Sequence, residues 1–199
     1  MAEPYGESPL AARTAVLERH SAPGAVRLAE VPFTAQVGLR VDPKGSAAER
    51  IGTALGAALP NQPGQVVRTD RLSVLWLGPD EWLLVGPEGT AESLEGTLRG
   101  ALEDEHGAVV DVSAHRTIIE ISGPKARELL TKGCALDLHP RAFTTDQCAQ
   151  TLLARAAVLL QCRDAEAACF RVFVRSSFAR YLADWLTDAA GEFTTDDRR

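Results

Sequence analysis

Between residues 26 and 41 (VRLAEVPFTAQVGLRV) apolar and polar positions partly alternate, and Val37, Leu39 and Val41 fall on one face, as a half-buried strand requires. Pro32 interrupts the run, so the pattern predicts two strands rather than one. The period then changes. Over residues 46–59 Ile51, Leu55 and Leu59 recur at spacings of four, which predicts a helix filled out by alanines and stopped at Pro60. Two apolar runs, LSVLWL at 72–77 and WLLV at 82–85, flank Gly78-Pro79-Asp80-Glu81 and predict a β-hairpin. A second helix follows, with Thr90 placed to cap it, Glu92 and Glu95 near its positive end, and Leu94, Leu98, Ala101 and Leu102 as its buried stripe.

The order then repeats. Strands are predicted at 108–112 and 117–121, and Gly123-Pro124 opens a helix whose apolar face is Ala126, Leu129 and Leu130 and whose end is Gly133. Strands at 151–160 and 169–174, joined around Arg163-Asp164, lead to a last helix over 177–190, with Gly191 past its end. Phe178, Leu182, Trp185 and Leu186 mark its buried face, at a constant offset from Leu94, Leu98, Ala101 and Leu102.

These elements predict an α+β fold of two pseudo-repeated βαββα halves with mostly antiparallel sheets. The expected divisions are an N-terminal arm at 1–24 that orders on a partner, halves at 25–107 and 108–193, and a polar C-terminal tail at 194–199.

Composition narrows the functions. The 21 Lys and Arg against 27 Asp and Glu leave a net charge of -6 on 199 residues, which argues against a nucleic-acid partner. No apolar run approaches the roughly 20 residues of a membrane span, and the first ten residues lack the basic and apolar regions of a signal peptide, so a cytoplasmic protein is expected. Cys134, Cys148, Cys162 and Cys169 are too widely spaced for a Cys-x-x-Cys pair and are expected to be buried, reduced thiols. His20, His106, His115 and His139 include no i, i+4 pair, so no metal site is expected.

Neither a Gly-x-Gly-x-x-Gly turn after a strand nor a P-loop is present, so no nucleotide or flavin site is expected on this chain. Asp111, Ser113 and His115 sit two apart and could share a strand face, yet side by side they do not form a nucleophile–base–acid relay; hydrogen bonding at a strand end accounts for them. No catalytic residue is therefore assigned. Glu103, Asp104, Glu105 and His106 are expected to be a solvated helix end. Interface candidates are the aromatic residues Tyr5, Trp76 and Trp82, since such side chains near exposed turns are enriched in binding hot spots.

Two segments, DVSAHRTIIEISGPKAR at 111–127 and FRVFVRSSFARYLADWLTDAAGEF at 170–193, resemble the folate-binding fold of the glycine-cleavage T-protein. Together with LGPDEWLLVGP at 77–87 the chain resembles, over roughly residues 25–193, the gamma subunit family of heterotetrameric sarcosine oxidase. The resemblance implies a noncatalytic accessory chain, supporting assembly and stability of a complex that oxidises sarcosine to glycine with hydrogen peroxide and passes a one-carbon unit to tetrahydrofolate. It further implies alpha, beta and delta subunits as partners, chiefly alpha, with FAD, FMN, NAD and zinc held on those chains. One departure matters: the T-protein pattern carries an Asn-x-x-Gly-Gly turn leading to an acidic residue, whereas residues 153–160 here read LARAAVLL. The folate chemistry of that fold is thus expected to be lost, the alternative being a stand-alone folate-binding or one-carbon transfer protein.

Overall fold

A computed structural model describes residues 6–22 and 24–194. Among these, ten strands form two five-stranded antiparallel sheets. The chain order is α1 (Thr14–Arg19), β1 (Arg27–Val31), β2 (Ala35–Val41), α2 (Ser46–Leu55), β3 (Val66–Arg68), β4 (Ser73–Gly78), β5 (Glu81–Gly86) and α3 (Ala91–Leu102). It continues with β6 (Gly107–Asp111), β7 (Arg116–Ser122), α4 (Ala126–Thr131), β8 (Gln147–Leu153), β9 (Ala156–Asp164), β10 (Cys169–Arg175) and α5 (Ser176–Thr194).

The first sheet runs β3-β4-β5-β2-β6 and the second, read from its corresponding edge, β8-β9-β10-β7-β1. The duplication is therefore real in the fold, but its unit is ββαβββα and its leading strands are exchanged. β1 pairs with β7 of the second unit, and β6 pairs with β2 of the first. A cut at residue 107 does not separate the sheets, because each half supplies the other's edge strand. Alternation along the chain reports which residues face a core, but it carries no information on which sheet a strand joins.

The two sheets face each other across a seam of Val66, Leu75, Leu83, Val85, Ile118, Leu159 and Phe173. On the outer face of the first sheet, α2 and α3 bury Ile51 and Leu98 against Val37, Leu39 and Val74. On the outer face of the second, α4 and α5 bury Leu129, Leu130, Leu182 and Leu186 against Ile119, Ile121 and Val172. Each such side chain taken from water contributes roughly 1.5–3 kcal/mol. The layers are thus helix, sheet, sheet, helix.

The structure corrects several local expectations. α2 ends at Leu55, because Gly56 takes the left-handed φ of 66° and its N–H returns to Gly52 and Thr53. The run expected as one strand at 151–160 is a hairpin whose turn, Ala154-Arg155, needs φ 53° at Ala154. β3 is three residues long, too short for a period to show. α5 continues through Gly191 to Thr194.

The N-terminal arm does not wait for a partner over its described length. Leu10 is 0% and Leu17 1% exposed, both inside the second core, Arg13 pairs with Asp184 at 3.1 Å, and Ser8 Oγ donates to Glu30 at 2.6 Å. Residues 1–5, including Tyr5, and residues 195–199 of the polar tail lie outside the described residues.

Candidate functional site

The seam between the sheets is where this architecture could hold a ligand, and its polar groups decide what it can do. Gln36 on β2 is 1% exposed and its Nε2 donates to the Arg116 carbonyl across the seam at 3.0 Å. Gln161 on β9 is equally buried, and neither its Nε2 nor the Gln36 Oε1 meets a hydrogen-bond partner among the described residues. Both carboxylates that strands bring to the seam are held by an arginine directly opposite on the neighbouring strand: Glu81 on β5 accepts from Arg40 on β2 at 2.7 Å, and Glu120 on β7 from Arg171 on β10 at 3.1 Å. Among the described residues, neither seam carboxylate is thus left free to serve as a base.

The seam is closed along one edge by chain pairing. Val66 N–H donates to the Asp146 carbonyl at 2.8 Å and Cys148 N–H to that of Gly64 at 2.7 Å, with an Arg68–Asp146 ion pair beside them. Near this edge Arg163 reaches Ser73 Oγ at 3.3 Å, and burial with the neighbouring Arg171 and Arg68 lowers its pKa. At the opposite end, β7 begins with Arg116 and β10 ends with Arg175, and the two stand directly opposite each other. Burial and then Arg175 lower the Arg116 pKa, and burial with both arginines lowers that of His115.

Asp111, Ser113 and His115 behave as strand-end groups. Asp111 Oδ1 accepts from both the backbone N–H and the hydroxyl of Ser113, at 2.9 and 2.6 Å, and Ser113 Oγ accepts from Gln36 N–H at 2.9 Å. His115 takes no part in that chain of bonds; its backbone carbonyl receives the Ser176 N–H at 3.0 Å. Glu105, expected to be solvated, instead crosses to α2, where the Ser46 hydroxyl and Arg50 hold its carboxyl below the usual range. Among the described residues no group of three His, Cys, Asp or Glu gathers as a metal-ligand set, and no helix is long and apolar enough to cross a membrane.

The aromatic candidates part company. Trp82 is 1% exposed, and its indole N–H donates to the Pro60 carbonyl at 2.8 Å, so its ring is spent on the first core rather than offered to a partner. Trp76, its cross-strand neighbour, is half-buried. Sequence reasoning placed Phe178 in the core and missed it as a surface group. Leu182 and Leu186 do take the places of Leu98 and Leu102, but Phe178 is 43% exposed and packs edge-on to Tyr181 at 6.5 Å.

With this geometry in place, the chain can be compared with known proteins. A family model described as the sarcosine oxidase gamma subunit family matches residues 38–192. The chain belongs to that family. A sarcosine oxidase subunit gamma from Arthrobacter is 43% identical over 88% of this chain and 85% of the relative. Another, from Corynebacterium sp. strain U-96, is 42% identical over 94% and 91%. A chain of the heterotetrameric sarcosine oxidase of Corynebacterium sp. U-96, solved with pyrrole 2-carboxylate, overlays this gamma-family chain with a TM-score of 0.90 at 39% identity, covering 96% of this chain and 98% of that one. The glycine-cleavage aminomethyltransferase T of Bartonella henselae overlays with a TM-score of 0.61 at 18% identity, over 86% of this chain and 48% of that one, which shows a shared fold alone.

Proposed function

We propose that this gamma-family chain is a noncatalytic subunit of a heterotetrameric sarcosine oxidase and acts by supporting assembly and stability of that complex. The observation that carries the reading is the end-to-end overlay on a chain of such a complex. The chemistry of the seam supports it. Its carboxylates are held by arginines, and the β8–β9 turn, where the T-protein pattern leads to an acid, holds Ala154 and Arg155. Their backbone N–H groups donate to the Gly133 carbonyl and the Tyr181 hydroxyl.

In this reading sarcosine oxidation, peroxide release and transfer of the one-carbon unit to tetrahydrofolate take place on alpha, beta and delta subunits, which carry FAD, FMN, NAD and zinc. The gamma chain, bound chiefly to alpha, contributes interface. Capture of a tagged copy from its source cells tests this. Larger subunits should accompany it, with a flavin absorbance spectrum and sarcosine-dependent peroxide production. A colourless chain recovered alone, saturable by tetrahydrofolate, would overturn the reading in favour of a stand-alone folate protein.

A further inference from the structure

One row of residues crosses the second sheet at its open end. Arg116 on β7 stands opposite Arg175 on β10. Val174 pairs with Val158, which sets Ala157 beside Arg175, and Ala157 pairs in turn with Leu152 on β8. Strand alternation turns all four side chains to the seam face, the face of Ile118, Phe173 and Leu159. There the first sheet covers them only in part: Arg116 is half-buried, Arg175 and Ala157 are exposed, Leu152 is 57% exposed, and a cleft of about 120 Å³ opens between Leu77, Arg116, Gln150 and Arg175.

The electrostatics of the row are unfavourable within this chain. Like charges directly opposite on antiparallel strands destabilise a sheet. Neither Arg116 nor Arg175 has an ion pair among the described residues, and the acid nearest in effect, Glu81, is already bound by Arg40. Arg155 and Arg180, also exposed and without an ion pair there, extend the same positive end on a chain whose net charge is -6. At the same end of the sheet, where α5 follows β10 directly after Arg175, stand exposed aromatic groups. Phe178 and Tyr181 rise from the first turns of α5, and the Tyr181 hydroxyl accepts from Arg155 N–H at 3.3 Å, which ties the helix to the β8–β9 turn. Arginine and aromatic side chains around a desolvated centre are the composition of binding hot spots.

We infer that this end of the second sheet docks a carboxylate-bearing face of a partner subunit, an Asp or Glu of that subunit bridging Arg116 and Arg175 while apolar side chains cover Leu152 and Phe178. A bridging carboxylate turns a like-charge pair into charge-assisted hydrogen bonds, and the flanking apolar groups exclude water from them. The inference rests on the subunit role proposed above.

The test is co-expression of the tagged chain with the other subunits of the complex, measuring the affinity of the assembly and its dependence on salt. Arg175→Glu should abolish co-purification, and Arg175→Ala or Phe178→Ala should weaken assembly by about tenfold or more. Arg175→Ala should also flatten the salt dependence. The isolated Arg175 variants should melt no lower than the parent, because a repulsion has been removed. Arg19→Glu, an exposed charge on α1 outside the patch, is the control and should assemble normally. If the parent chain itself fails to assemble, the subunit reading falls. If the parent assembles and Arg175→Ala and Phe178→Ala do so with unchanged affinity and salt slope, the docking surface is wrong and the subunit reading stands.

Discussion

Trp185 lies so close to Gly133 that a Cβ added at 133 would stand 2.6 Å from the indole Cζ2 and 3.0 Å from the backbone nitrogen of Ala154. Gly133 carries no left-handed φ, so it is not the helix terminator that its position after α4 suggests. It is a point of close approach where α5 and the β8–β9 turn meet, and its carbonyl receives the Ala154 N–H at 2.9 Å. Gly133→Ala should therefore destabilise the chain by about 1–3 kcal/mol through overpacking. Urea unfolding followed by Trp fluorescence reads the loss, and Trp185→Leu in the same chain should recover part of it. Full stability in the single variant would disprove the steric contact.

The arm supplies a second prediction, opposite to what its composition implies. With Leu10 and Leu17 buried in the second core, its described residues belong to the folding unit. Leu17→Ala should cost about 2–5 kcal/mol in the isolated chain. Removing residues 1–20 should lower the melting temperature further still. An arm whose loss leaves the isolated chain's melting point unchanged would be a docking element after all.

Trp82 gives a third. Trp82→Phe removes a buried indole and strands the Pro60 carbonyl without its donor, at a cost of about 1–3 kcal/mol. Assembly of the folded variant with its partner subunits should be unaffected, as measured by co-purification below its melting temperature. Weakened assembly at full stability would restore Trp82 as an interface residue.

Much of this fold was legible because its helices obey the 3.6-residue period over two or more turns: Ile51, Leu98, Leu102, Leu182 and Leu186 all lie where spacing puts them. What was not legible has physical causes. The exchange of β1 and β6 between sheets depends on pairings far apart in the chain, such as Arg27 with Ser122 and Val37 with Asp111, which no local pattern encodes. The β8–β9 turn lacks glycine, asparagine and proline, so nothing marked it. Phe178 continued an apolar stripe, but in the first turn of α5 that position is 43% exposed and packs on Tyr181. The open end of the seam was invisible because Arg116 and Arg175 meet only through the β7–β10 register.

Burial predicts the behaviour of the thiols. It pushes Cys148 up to about 12 and Cys162 up to about 11, from an ordinary value of 9.0. Both should resist iodoacetamide at pH 8 in the native chain and react once it unfolds, because the thiolate is the nucleophile. The same shifts set a sign for stability. Above about pH 9 the unfolded chain releases these protons while the native chain keeps them, so the native state binds more protons and stability falls as pH rises, until the folded thiols themselves ionise near 11 and 12. Below pH 9 the thiols impose no pH dependence. For Cys148 the loss is about 1.4 kcal/mol per pH unit within that window. Cys148→Ala should lower stability near neutrality by removing a buried group at the seam, yet its urea midpoint should fall less steeply than the parent's between pH 9 and 11. Parallel curves for parent and variant would show that the Cys148 thiol titrates alike in the folded and unfolded chain.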